Sequence, residues 1–88
     1  MKSTVTPRFW ALLNALPHEV QELAEKNYQL WRENPQHPAL QFKRLAGRGH
    51  RFSVRVGDHY RALAWKLDDG GVEWVWIGTH AEYDRLVK

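Results

Sequence analysis

At 88 residues the chain can form one core but is too short for a second lobe or an enclosed substrate cavity, so any active site must be an open surface. With 43% hydrophobic and 26% charged residues it has the composition of a globular domain, and without cysteine it has neither disulfides nor thiolate chemistry. The net charge of +3 is concentrated in residues 39–61, where Lys43, Arg44, Arg48, Arg51, Arg55 and Arg61 face only Asp58, whereas residues 1–38 are neutral and residues 62–88 are net acidic.

In chain order, the apolar segment RFWALLNAL, Arg8 to Leu16, reads as a helix broken by Pro17. A second helix can start close to that proline, which is tolerated in a first turn. Val20, Leu23, Ala24, Tyr28 and Trp31 recur there at helical spacing with the glutamates largely on the other face, until Pro35 and Pro38 in ENPQHPAL prevent continuation. LQFKRLAG is a short strand or an extended arm. HRFSVRVGDHYRALAWKL is predicted to be a hairpin turning around Gly57 and Asp58. A second turn at DDGG leads into VEWVWIG, whose apolar residues at both parities suit a strand covered on each face. The last segment, HAEYDRLVK, supplies a short helix with Thr79 as N-cap and Glu82 at the capping-box position. The expected fold is therefore α+β, a single domain over residues 1–88. An N-terminal helical hairpin packs on one face of a small twisted antiparallel β-sheet of three strands, and a short C-terminal helix follows.

Strand alternation places His50, Phe52, Val54 and Val56 on one face and Arg51, Ser53 and Arg55 on the other, so these arginines are expected opposite the helices. The position of Arg61 depends on the loop. A two-residue turn sets it opposite Val54, and a three-residue loop sets it opposite Arg55. A basic block inside a folded segment suits a surface that meets phosphates or an acidic protein, although single exposed arginines also serve simply to solubilise a sheet face. His80 directly follows the last strand and is expected at that strand's end near the sheet edge. There it can act as general acid or base, with Tyr83 offering a hydroxyl or a stacking ring. The alternative is that Thr79, His80 and Tyr83 only cap and pack the terminal helix.

Other chemistries find little support. HEVQE, His18 to Glu22, lacks the second histidine of a zinc-protease helix, and GRGH, Gly47 to His50, lacks the strand and helix context of a phosphate loop and reads as a turn. No metal site and no cofactor is expected. No apolar run approaches membrane-span length and MKSTVTPRFW lacks a signal peptide's apolar stretch, so a cytoplasmic protein without membrane contact is expected.

Three segments in order, FKRLAG (Phe42 to Gly47), FSVRVGDHYRALAW (Phe52 to Trp65) and WIGTHAEYDRL (Trp76 to Leu86), resemble the RelE/ParE superfamily of type II toxin–antitoxin systems, including the THxEYD ending of some HigB-type toxins. The resemblance runs from about Pro17 to the C-terminus. It implies a toxin held by a cognate antitoxin protein in a hetero-oligomer, and most often a ribosome-dependent endoribonuclease (mRNA interferase) that cuts mRNA and inhibits translation. The ParE branch instead inhibits DNA gyrase, and a catalytically inactive module that only binds an antitoxin is a further alternative. By the same resemblance Arg44 matches the basic position before Leu45 and Gly47, with Lys43 adding a neighbouring charge, Arg55 and Arg61 match two arginines around the hairpin turn, and His80 and Tyr83 match the C-terminal catalytic region. Arg61, His80 and Tyr83 are thus expected to be catalytic, and Lys43, Arg44, Arg55 and, by its place on the same strand face, Arg51 to bind RNA. The chain departs from the pattern at Ser53, where many relatives carry arginine, and in an expected absence of the N-terminal strand.

Overall fold

The computed structural model describes residues 2–47 and 50–87; Arg48 of the basic block and the middle of the Gly47–His50 segment lie outside the described residues. The elements are β1 (Ser3–Val5), α1 (Pro7–Asn14), α2 (His18–Glu33), a 3-10 turn (Pro38–Leu40), β2 (Lys43–Arg44), β3 (Arg51–Val56), β4 (Tyr60–Lys66), β5 (Val72–Thr79) and α3 (His80–Val87). They form an α+β domain whose five-stranded sheet has the order β1-β5-β4-β3-β2. The pairs β2–β3, β3–β4 and β4–β5 are antiparallel, as the hairpin reading requires.

The N-terminal strand, expected to be absent, is present. Ser3, Thr4 and Val5 run parallel to Val72, Glu73 and Trp74, which makes the sheet mixed. Three residues are too few for alternation to register in a sequence, and the strand is held by its surroundings. Val72 N–H donates to Lys2 O at 3.0 Å, Thr6 N–H donates to Trp74 O at 3.1 Å, and the hydroxyls of Ser3 and Tyr28 lie 2.6 Å apart. Thr6 then starts α1, its Oγ1 accepting from Phe9 N–H at 3.1 Å with Pro7 in the first turn. Such a cap is worth about 1 kcal/mol.

Helices α1 and α2 both lie on the face of the sheet that carries Phe52, Val54, Val56, Ala62, Ala64, Trp74 and Ile77. Trp31 is the centre of this core, where α2 meets the sheet. Its ring packs edge-on against Trp74 at 5.3 Å and Phe42 at 5.8 Å, and stacks on Tyr28 at 6.2 Å. α1 leans on β5 and α2 on β3, and the space between them is an apolar cleft of about 210 Å³ walled by residues such as Phe9, Trp10, Leu13, Tyr28 and Trp31.

The opposite face carries a smaller cluster. Leu63, Trp76 and Tyr83 are buried there with Leu45, Val75 and Val87 packed around them, so α3 roofs β4 and β5 while the β2–β3 side is left open. A bulge in β5 makes this possible. Leu63 pairs with Trp76 but the next residue, Ala64, pairs with Trp74, so Val75 is the extra residue. The bulge lets Trp74 and Ile77 share the helix face while Val75 and Trp76 turn to the other. VEWVWIG is apolar at both parities for this reason.

Candidate functional site

The loop joining β3 to β4 decides which side chains meet. Val56 pairs with Tyr60 and Arg55 with Arg61, leaving the three-residue loop Gly57–Asp58–His59. Gly57 takes a positive φ of 66°, a conformation that L side chains rarely adopt. Of the two registers open to the sequence, this one sets Arg61 beside Arg55 on the face away from α1 and α2.

Arg61 is tied on three sides. Its Nη1 donates to Gln41 Oε1 at 3.3 Å, its guanidinium carbon lies 6.0 Å from the centroid of the Tyr83 ring, and its β5 partner is Gly78. Gln41 itself sits in the left-handed region at φ 46°, which costs roughly 1–2 kcal/mol for a residue with a side chain. The short 3-10 turn ending at Leu40, with Leu40 fully buried, fixes that geometry and aims Gln41 at the arginine. No sequence signal marks Gln41 as part of the site, since its role depends on an unusual backbone angle.

Arg55 is differently committed. Its Nε donates to Gly57 O at 3.0 Å and its Nη2 to the carboxylate of Asp58, so it braces the loop that presents Arg61. Asn27 on α2 holds the same strand from the other face, its Nδ2 donating to Arg55 O at 3.1 Å.

His80 opens α3. Its backbone N–H donates to His59 O at 2.8 Å, so the helix start is pinned to the β3–β4 loop. β1 pairs with β5 only over Val72–Trp74, so the Thr79 end that leads into His80 has no β1 residue beside it. The imidazole is half-exposed, with Nδ1 3.2 Å from Asp84 Oδ2, one helical turn on, and the ring 6.0 Å from that of Tyr83. Nε2 is the ring nitrogen that Asp84 does not engage. The capping box predicted at Thr79 is formed in full. Glu82 Oε1 accepts from Thr79 N–H at 3.1 Å and from Thr79 Oγ1 at 2.9 Å, while Glu82 N–H donates to Thr79 Oγ1 at 3.2 Å. The backbone N–H of Thr79, then its hydroxyl, hold the Glu82 carboxyl below the ordinary glutamate value, with Arg85 adding a smaller effect in the same direction.

Tyr83 is only 6% exposed and packs with Leu63 and Trp76. Its ring is thus a wall of the site and a pillar of α3 at once, which a reading from residue type alone cannot separate.

The remaining basic residues divide. Lys43 and Arg51 lie on the Arg61 face, Lys43 paired with Ser53 and Arg51 with Trp65. Arg44 pairs with Phe52 and so stands on the helix side of the sheet, its Nη2 2.8 Å from His50 Nδ1. Ser53 is 1% exposed, because Leu63 and Lys43 flank it across both neighbouring strands, so the open part of this face is a basic rim around a small apolar floor. Among the described residues no group of three or more His, Asp or Glu side chains is placed to hold a metal ion, and no helix is long and apolar enough to cross a membrane.

A small sheet with two helices on one face and a third on the other is a fold shared with solved toxins from archaea and bacteria. Residues 18–85 match the ParE-like toxin domain, and the chain belongs to that family. Its fold is similar to that of a chain in the archaeal RelE–RelB complex from Pyrococcus horikoshii OT3, at a TM-score of 0.70 and 16% identity over 89% of this chain and 92% of that one. It is likewise similar to the YoeB/ParE toxin from Agrobacterium tumefaciens, with a TM-score of 0.68 and 16% identity over 91% and 99% of the two chains. A copper-bound mutant toxin from Helicobacter pylori aligns with a TM-score of 0.62 and 20% identity over 93% and 97%. None of the curated proteins matches the chain.

Proposed function

We propose that this protein is the toxin of a type II toxin–antitoxin system and acts as a ribosome-dependent mRNA endoribonuclease. The observation that carries the reading is the convergence of Arg61 and His80 on the Tyr83 ring, 6.0 Å from each, beside an open basic rim. RNA supplies its own nucleophile, the 2′-hydroxyl. The protein therefore has to orient that group, neutralise charge on the phosphate and move protons. In the proposed step the 2′-hydroxyl gives up its proton to a solvent water, the O2′–P bond forms and the P–O5′ bond breaks, leaving a 2′,3′-cyclic phosphate. Arg61, preset by Gln41, stabilises the charge gained by the non-bridging oxygens. His80 Nε2 delivers the proton to the departing 5′-oxygen, and Asp84 at Nδ1 holds the imidazole in orientation. Lys43 and Arg51 contact neighbouring phosphates, and Arg55 acts through the loop it braces.

The partner we propose is an antitoxin protein, as in the RelE–RelB complex to which the fold is similar. The apolar cleft between α1 and α2 and the short edge strand β2 are the surfaces suited to it, because each offers unpaired apolar or backbone groups.

The alternative of a DNA gyrase inhibitor is favoured by the description of the matching domain as ParE-like. Induced expression with mapping of mRNA 5′ ends distinguishes the two. Codon-phased cuts support the nuclease, and a DNA-damage response without cuts supports gyrase. Growth arrest without cuts or a damage response refutes both targets, and no effect on growth leaves a module that only binds an antitoxin. For the nuclease, His80→Gln is expected to slow cleavage about 100- to 10,000-fold at unchanged melting temperature. Normal cutting by this variant removes His80 from the chemistry.

A further inference from the structure

Trp65 stands apart from the other buried-looking residues of β4. It is 43% exposed and belongs to neither apolar cluster. Its neighbours in sequence, Leu63 and Ala64, are buried, so the pattern ALAWK reads as core throughout although the last ring is not. The register places it on the Arg61 face, directly across from Arg51 on β3 and from Glu73 on β5. On the central strand of the sheet, an indole 43% exposed leaves much of its ring open to solvent.

The geometry points to Trp65 as a stacking platform for a nucleobase of single-stranded RNA, at the far end of the basic half-face from Arg61. This rests on the RNA-cleaving reading and adds to it a second contact with a different chemistry. Arg61 and Arg55 stand at the loop end of the β3–β4 hairpin, and Arg51 and Trp65 stand four residues further along the same two strands. At a strand rise of roughly 3.3 Å per residue the two ends are about 13 Å apart. At the stacked rise of roughly 3.4 Å per nucleotide, a strand of about four nucleotides spans them. Lys43 lies on the same face between the two ends, paired with Ser53. A strand on this track meets positive charge from Arg61, Lys43 and Arg51, then an aromatic face for a base. Glu73 on the β5 side of the indole repels phosphate there and keeps the backbone on the Arg51 side. Aromatic stacking accepts any base, so this contact contributes affinity and register rather than sequence choice.

Binding of a fluorescein-labelled hexanucleotide, 2′-O-methylated throughout so that it cannot be cut, is measured by anisotropy for the full chain and its variants over a salt series. Trp65→Leu is expected to weaken binding about 5- to 150-fold with an unchanged salt slope, since an indole displaces no counterion. Trp65→Phe keeps a ring and is expected to stay within about threefold of wild type, and Trp10→Leu, an exposed tryptophan on α1, to bind as wild type. Arg61→Ala and Arg51→Gln are each expected to lower the salt slope by about 0.7. Melting temperatures establish that each variant is folded. If Trp65→Leu binds as wild type while Arg61→Ala is weakened, the stacking site is refuted and the RNA-binding face stands. If the wild-type chain does not bind the hexanucleotide, the stacking site is refuted, and the mapping of mRNA 5′ ends decides the nuclease reading separately.

Discussion

Removing the Tyr83 ring separates the two roles that the structure gives it. The side chain is almost wholly withdrawn from solvent and packs with Leu63 and Trp76 under α3. Aromatic side chains bury about 150–250 Å², which at about 25 cal/mol per Å² corresponds to roughly 4–6 kcal/mol as an upper value. Large-to-small changes at buried aromatic positions cost about 3–5 kcal/mol, in agreement with that figure. A loss of about 3–5 kcal/mol lowers the melting temperature of a domain this size by roughly 12–40 °C. Tyr83→Ala is therefore expected to be largely unfolded or to have released α3 at 37 °C. Tyr83→Phe keeps the ring under Arg61 and is expected to melt within a few degrees of wild type. Thermal unfolding followed by circular dichroism, paired with cleavage on programmed ribosomes, gives both readouts. An alanine variant that melts with wild type would refute the role of the ring as the support of α3. A phenylalanine variant that is stable but inactive would assign the chemistry to the hydroxyl.

Gly78→Ala is expected to destabilise the domain by about 1–3 kcal/mol, because a Cβ there would come within 2.5 Å of one carbon of the Trp76 ring and 2.7 Å of the next, both in a buried cluster; urea denaturation measures it, and an unchanged midpoint contradicts the packing described. The Glu82 carboxyl, held below its ordinary value by Thr79, stabilises the start of α3 fully above about pH 4.5, and that contribution is lost as the pH falls through the lower folded value. Thr79→Ala is accordingly expected to reduce the pH dependence of melting in the acid range, and identical pH profiles for variant and wild type would contradict the capping box as its source.

The helices were legible in the sequence because they are periodic and punctuated: Val20 to Trp31 repeat at helical spacing, and prolines close both ends. The capping box at Thr79 was legible because it is a local rule about residues three apart. The register of the hairpin was not, since GDH fits a two- or a three-residue loop, and only the sheet chooses. Nor was β1, whose three residues acquire strand geometry from pairing with Val72 to Trp74 rather than from their own pattern. The basic residues looked like one block along the chain, yet alternation assigns Lys43, Arg51 and Arg61 to one face and Arg44 to the other. Gln41 lies in no motif, and Asp84 is the last residue of the THxEYD ending with nothing in the sequence to direct its carboxylate to His80. They enter the site through a backbone angle and a helical turn, which appear only when the chain is folded.

The parallel pairing of β1 with β5 also sets the order in which this molecule can become complete. Ser3 finds its partner Val72 only after the intervening residues have been made, roughly 3–14 s later at synthesis rates of about 5–20 residues per second. During that interval the first strand and α1 lack the surface they rest on, and His80 and Tyr83 do not yet exist. The arginines on β3 and β4 are thus exposed on an unfinished sheet before the groups that complete the site arrive. The stretch from Val72 to Val87 thus both provides the partner of β1 and, in the function proposed above, completes the site.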